Sequence, residues 1–249
     1  MPIQTVFLDA GGVLVNPNWT RVSEALARHG VRVAAADLAA AEPRAKKQLD
    51  TGATIQVTND QQRGWTYFIL VLSACGVPLS AATDAALAEL HVYHQTSNLW
   101  ESVPDEVVPA LTALRDLGCR LVVVSNANGT LRRAFARLGL LDAVDALFDS
   151  CDEAVEKPDP RFFHVALVRT GASAASTIHV GDLYHVDVVG ARAAGIRPVL
   201  FDVADLYPEC DCPRVRSLAA LVEFIRADAQ VRPSWAATPV GPDTAPRRS

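Results

Sequence analysis

Val6-Phe7-Leu8-Asp9-Ala10-Gly11-Gly12-Val13-Leu14 is an apolar run of strand length that ends in one carboxylate, with two glycines close behind it. A run this short and apolar reads as a buried strand, and the glycines let the backbone turn sharply beside Asp9. In an open α/β sheet, ligands bind beyond the carboxyl ends of the strands, which is where this reading puts Asp9. Taken alone, an Asp at a strand exit is just as well an ordinary loop residue. The rest of the chain decides.

The next strand-like run is Arg120-Leu121-Val122-Val123-Val124-Ser125. Between the two the pattern is helical. Asn18 is an N-cap candidate for a helix stopped by Gly30, with Val22, Ala25 and Leu26 at helical spacing. Residues 34–50 are Ala-rich, with Pro43 expected to kink or divide their helix. Residues 59–75 form a third helix ending at Gly76, and 80–93 a fourth opened by Ser80. Four helices in succession predict a small helical bundle inserted after the first strand. From Pro104 the pattern changes: a helix over 105–117 precedes the Arg120 strand, then helices and strands alternate to a last helix over 218–227. This predicts an α/β fold with a doubly wound parallel sheet. The expected division is a core of 1–15 and 103–228, a helical cap of 16–102, and a tail of 229–249. That tail, rich in Pro, Ala, Thr and Arg from Arg232 onward, lacks periodicity and is expected to be disordered.

Composition narrows the class. The 249 residues can bury a sizeable core, and with half of them hydrophobic and a fifth charged they read as soluble and globular. A formal net charge of -5 supplies no polycation for a nucleic-acid backbone. The most apolar stretch, 67–77, is shorter than the ~20 residues a membrane span needs, and no secretory leader is expected from so short a first apolar run. Five scattered cysteines fit a reducing cytoplasm better than a disulfide framework. Cys210-Asp211-Cys212 lacks further ligands for a metal and reads as a plain loop.

The chemistry-bearing residues gather at strand ends. Asp9 ends the first strand and Ser125-Asn126 the second; Lys157 precedes Pro158-Asp159-Pro160 at a helix start; Asp182 follows Ile178-His179-Val180-Gly181, with Asp187 five residues on. In a parallel sheet these ends point one way, so distant segments meet in one crevice. Ser125 could be a strand terminator, Lys157 a solvated loop charge, and the two aspartates helix N-terminal carboxylates. Together and in this order, they fit phosphoryl transfer. Carboxylates suit Mg²⁺, a hard ion that prefers oxygen ligands, and Ser125 and Lys157 suit phosphate oxygens.

These segments resemble the haloacid dehalogenase superfamily of hydrolases. The matching motifs are Asp9-Ala10-Gly11-Gly12-Val13, Ser125-Asn126, Lys157-Pro158-Asp159-Pro160 and the run Gly181–Gly195, which is the most specific. The resemblance implies a Rossmann-like core with an inserted helical cap, and an aspartyl-phosphate formed on Asp9 and hydrolysed by water. It implies Mg²⁺ held by Asp9, the Gly11 carbonyl and Asp182, with Asp187 supporting directly or through water. The phosphoryl group would be held by Ser125, Asn126 and Lys157. The substrate implied is a small phosphorylated metabolite.

One position departs from the family pattern. Most phosphatases of the family carry a second Asp two residues after the nucleophile, and here that residue is Gly11. Such an acid–base group is worth about 10²–10⁴-fold in rate. A substitute acid could come from His185, or from His91, Tyr93 or His94 in the insertion; the substrate could carry a good leaving group; or the chain could bind a phosphorylated ligand without turning it over. A dehalogenase fits less well, since that chemistry needs no Mg²⁺. A phosphonatase would need a cap lysine, and Lys46 and Lys47 look like a solvated helix face. Trp19 is the expected pocket wall, with Arg63, Trp65 and Tyr67 as weaker candidates.

Overall fold

The computed structural model describes residues 2–230, so the proposed tail lies outside the described residues apart from its first two positions, which end the last helix. β1 (Thr5–Leu8) is buried at every position, and β2 (Asn16–Pro17) leads into the insertion. There follow α1 (Trp19–Arg28), α2 (Ala35–Leu49), α3 (Gly52–Val57), α4 (Asp60–Ala74) and α5 (Ala81–Ser97). Asn18, Asn59 and Ser80 each accept a backbone N–H at a helix start, the last two within capping boxes. Local polar chemistry thus sets where these three helices begin.

β3 (Trp100–Ser102) pairs antiparallel with β2 and returns the chain to the sheet. The remaining elements are α6 (Val107–Asp116), β4 (Arg120–Ser125), α7 (Leu131–Arg137), β5 (Ala146–Asp149), α8 (Ser150–Glu153) and α9 (Pro160–Thr170). Then come β6 (Thr177–Gly181), a π-helical turn (Tyr184–Val188), α10 (Val189–Ala193), β7 (Arg197–Phe201), β8 (Arg214–Val215) and α11 (Leu218–Gln230).

The main sheet has the order β5-β4-β1-β6-β7-β8, with every pair parallel. Alternate side chains serve opposite faces. Val6, Leu8, Leu121 and Val123 pack with α6, α7 and α11, whereas Phe7, Val122 and Val124 pack with α9 and α10. Burial on both faces explains why these strands are apolar throughout rather than alternating. The order reverses at β1, whose neighbours are β4 and β6. The crevice of a doubly wound sheet opens at such a reversal.

Four helices of the insertion, α1, α2, α4 and α5, share their own apolar core, including Val22, Leu26, Leu38, Val71 and Leu87. Two expectations need correction. Pro43 does not divide its helix: α2 runs unbroken, because Leu38 on one side of the proline and Ala45 and Leu49 on the other pack into the same core. α3, β2, β3 and β8 are too short to leave a periodic signal, and all four went unread. No helix among the described residues is long and apolar enough to cross a membrane.

Candidate active site

The carboxyl ends of β1, β4 and β6 converge as expected. Asp9 directly follows β1 and its N–H donates to Val180 at 2.9 Å, tying it to β6. Behind it the chain closes a tight turn in which Ala10 O accepts from both Leu14 and Val15 at 2.9 Å. Gly12 adopts φ +77°, and a Cβ there would collide with the Asp182 carboxylate; a Cβ on Gly181 would fall inside that of Asp187. These two glycines make room for two acids.

Lys157 is fully buried, with Nζ 3.0 Å from Asp9 Oδ1 and 2.7 Å from Asp187 Oδ1. Burial alone would lower its ammonium, but Asp187 and Asp9 hold it above the ordinary lysine range. Burial would raise Asp187, yet Lys157 and His179 hold it well below the usual carboxylate range. Asp187 Oδ1 also meets His179 Nε2 at 2.9 Å, and its Oδ2 accepts from Leu183 N at 3.1 Å. His179 was missed in the sequence. Its signal was there: a single imidazole in an otherwise apolar strand, two residues before Gly181 and so on the same face.

Asp9, Asp182 and Asp187 each bring an oxygen within 4.8 Å of the others. Burial pushes Asp182 up to about 7; Lys46 opposes the rise, and Asp9 and Asp187 reinforce it. Three clustered hard oxygen donors form a set that a small divalent cation suits. Asp187 is already engaged by three donors, so Asp9 and Asp182 carry the freer oxygens.

At the end of β4, Ser125 is buried and lines the crevice. Asn126 lines it too, but its side chain is not free for a ligand: Oδ1 accepts from Lys157 N at 2.7 Å and Nδ2 donates to Lys157 O at 3.0 Å. The Asn126 side chain thus clamps the backbone of Lys157.

The insertion closes the crevice, leaving a cavity of about 930 Å³ between it and the sheet. Here the sequence reading is corrected most. Lys46 is no solvated residue. Its stem crosses from α2 so that Nζ lies 2.7 Å from Asp182 Oδ2 and 2.8 Å from Glu42. A long aliphatic stem lets a residue on a polar face reach an inward partner. Lys47 stays outside, pairing with Glu209 over the Tyr207 ring. Trp19 does not wall the cavity; it is buried in the insertion's core, where its indole N–H donates to Glu42 at 3.1 Å. Trp100 takes that place instead: a Cβ on Gly11 would meet its Nε1 at 3.2 Å. Arg63, Trp65 and Tyr67 do line the cavity.

Of the candidate acids, His185 and Tyr93 lie outside the cavity lining, bonded to Asp50 and Glu101. His91 and His94 line it, but burial pushes His94 down to about 4, and its Nδ1 accepts from Leu99 N. Asp50, wholly buried at the end of α2, accepts from Tyr184 N at 2.6 Å, His185 N at 2.9 Å and Tyr207 Oη at 2.7 Å. It docks the insertion onto the turn that carries Asp187.

A family model described as haloacid dehalogenase-like hydrolase matches residues 3–195. Haloacid dehalogenase-like hydrolase domain-containing protein 3 of Danio rerio is 34% identical over 147 residues, 59% of this chain and 60% of that protein. Ribulose-1,5-bisphosphate 5-phosphatase of Halopiger xanaduensis is 35% identical over 104 residues, 41% of this chain and 43% of that protein. The chain thus spans about half the length of these curated relatives. Among solved structures, YfnB from Bacillus subtilis, solved bound to magnesium, superposes with a TM-score of 0.66 at 17% identity, covering 90% of this chain and 99% of that one. At that identity the likeness speaks for the fold.

Proposed function

The chain belongs to the haloacid dehalogenase-like hydrolases, and from that premise we propose that it is a Mg²⁺-dependent phosphatase of a small phosphorylated metabolite. The observation that carries the reading is the buried Asp9–Lys157–Asp187 cluster beside Asp182 at the carboxyl end of the sheet. The phosphatase name of the Halopiger relative supports it. Residues 1–15 and 103–228 act as the catalytic core, with 16–102 as the cap. A cytoplasmic site of action fits the five free cysteines.

Asp9 is the nucleophile. Its carboxylate attacks phosphorus, the ester P–O bond breaks with its electrons on the leaving oxygen, and water then attacks phosphorus to release phosphate and free Asp9. Lys157 neutralises nucleophile and phosphoryl group together, and Ser125 donates to a phosphoryl oxygen. Asp9, the Gly11 carbonyl and Asp182 would hold Mg²⁺, with Asp187 acting through water because its oxygens already accept from Lys157, His179 and Leu183. When bound, the ion offsets repulsion between an anionic nucleophile and an anionic phosphate.

The test is phosphate release from an activated aryl phosphate, with and without Mg²⁺, beside Asp9→Asn. Release that needs both Mg²⁺ and Asp9 supports the reading; no release above the variant's background overturns it. A ligand-binding module without turnover draws support from one observation, Trp100 packed against Gly11, and binding without release would identify it. A dehalogenase would leave the acidic cluster without a purpose. A phosphonatase would need an unprotonated cap lysine, whereas Asp182 and Glu42 overcome burial and hold Lys46 above the ordinary lysine range.

A further inference from the structure

We propose that the substrate is a phosphate monoester of a phenol, its bridging oxygen directly on an aromatic ring and its leaving part free of a second anionic group. The proposal rests on the phosphatase reading of this site and sharpens it. Two independent observations lead to it.

The first concerns the leaving oxygen. The place of a side chain at residue 11 is filled: a Cβ would stand 3.2 Å from Trp100 Nε1 and 3.3 Å from its Cδ1, so the indole stands where a carboxylic acid would be. An indole N–H donates a hydrogen bond but supplies no proton. The other acids and bases of the lining are engaged elsewhere: Asp60, whose carboxyl burial pushes up, lies 3.6 Å from Arg63, Glu156 lies 3.2 Å from the same arginine, and Asp182 pairs with Lys46 at 2.7 Å. His94 packs edge-on to Trp100 at 5.4 Å with Nδ1 taken by Leu99 N; His91 Nε2 meets the Gln95 amide at 2.9 Å; Lys46 is bound between Glu42 and Asp182. A leaving oxygen in this site departs as an anion. A phenol, with a pKa of about 10 as in tyrosine, tolerates this. An alcohol whose pKa lies near the roughly 16 of water does not.

The second concerns the wall. The cavity lining includes Trp65, Tyr67, Phe68, Leu87, Leu90 and Trp100. Trp100 meets Tyr67 at 6.0 Å and Phe68 at 5.9 Å between ring centroids, spacings at which aromatic rings pack edge to face or offset. A flat apolar group fits such a wall. Beyond the reaction centre, the one arginine in the lining is Arg63, and it is committed to Glu156 at 3.2 Å and Thr58 O at 2.7 Å. Among the described residues, the lining offers no uncommitted lysine or arginine to receive the carboxylate of a phosphorylated amino acid or the second phosphate of a bisphosphate.

Four substrates separate the possibilities, each assayed with Mg²⁺ on wild type and Asp9→Asn. Acetyl phosphate is small and leaves readily, so it tests the phosphatase reading without the aromatic wall. Phenyl and benzyl phosphate share a ring and differ by one methylene, which changes the leaving oxygen from phenolic to alcoholic. Glycerol 3-phosphate lacks both ring and good leaving group. We expect Asp9-dependent hydrolysis of acetyl and phenyl phosphate, with kcat/KM for phenyl phosphate about 10²-fold or more above that for benzyl phosphate. Benzyl phosphate should compete with phenyl phosphate at a concentration near the latter's KM, and glycerol 3-phosphate should not. Turnover of benzyl or glycerol phosphate within tenfold of phenyl phosphate, or failure of benzyl phosphate to compete, overturns the substrate class while leaving the phosphatase. Absence of Asp9-dependent release from acetyl and phenyl phosphate alike overturns both.

Discussion

On the sheet side of the cavity, Asp9, Lys157, Asp187 and His179 hold one another at 2.7–3.0 Å. On the insertion side the rings of Tyr67, Phe68 and Trp100 meet at centroid distances of 5.0–6.0 Å, and Lys46 crosses to the acidic cluster. The first wall is fixed by charge and tolerates little. The second is fixed by shape, and apolar shape can be exchanged for similar shape. A reaction centre and a specificity surface can thus share one cavity while answering to different physical constraints.

Lys157→Met should do the most damage. It leaves Asp9 and Asp187 without their shared cation, and breaking a buried pair from one side costs about 3–5 kcal/mol. Urea unfolding should show a loss of that size, and phosphate release should fall by about 10²-fold or more. Unchanged stability would mean that the sheet wall is not held by charge. Next comes pH. His94 has a folded pKa of about 4 against an ordinary 6.5, so the unfolded chain binds its proton more tightly. Its contribution to stability is therefore full above about pH 6.5 and fades as pH falls towards 4, by up to about 3 kcal/mol. Thermal melts of wild type and His94→Gln should diverge across that window; parallel curves would remove the buried neutral imidazole from the account.

Gly181→Ala drives a methyl group into the Asp187 carboxylate. Overpacking of this kind costs about 1–3 kcal/mol, and the loss should appear in the unfolding midpoint together with reduced phosphate release. The smallest effect is expected on the insertion wall. Phe68→Leu preserves an apolar side chain, and its cost should stay below about 1.5 kcal/mol. A larger loss would show that the wall is as finely fitted as the sheet side.

The same contrast decides how much could be read in advance. Asp9, Ser125, Lys157, Asp182 and Asp187 were legible because parallel strands bring their carboxyl ends together whatever the loops do. Helix starts at Asn18, Asn59 and Ser80 were legible because a cap is a contact within one turn. Lys46 was not, since its role depends on where α2 docks, and a helix face says nothing of that. Trp19 was misplaced for the same reason: only packing sends it into the helical core and sets Trp100, rather than Trp19, over Gly11. The clamp of the Asn126 side chain on Lys157 was not legible either, because the backbone it holds lies in another loop.

The Asp50 contact has a consequence for motion. Its carboxylate is shut away from water and satisfied by two backbone N–H groups at the start of the π-helical turn and by a tyrosine hydroxyl. Lifting α2 would strand those donors and the carboxylate at once, and an unmet charge-assisted bond is far more costly than an apolar contact opened to solvent. Any opening of the insertion is therefore geared: α2 and the turn bearing Asp187 travel as one piece, or the joint between them must first fill with water.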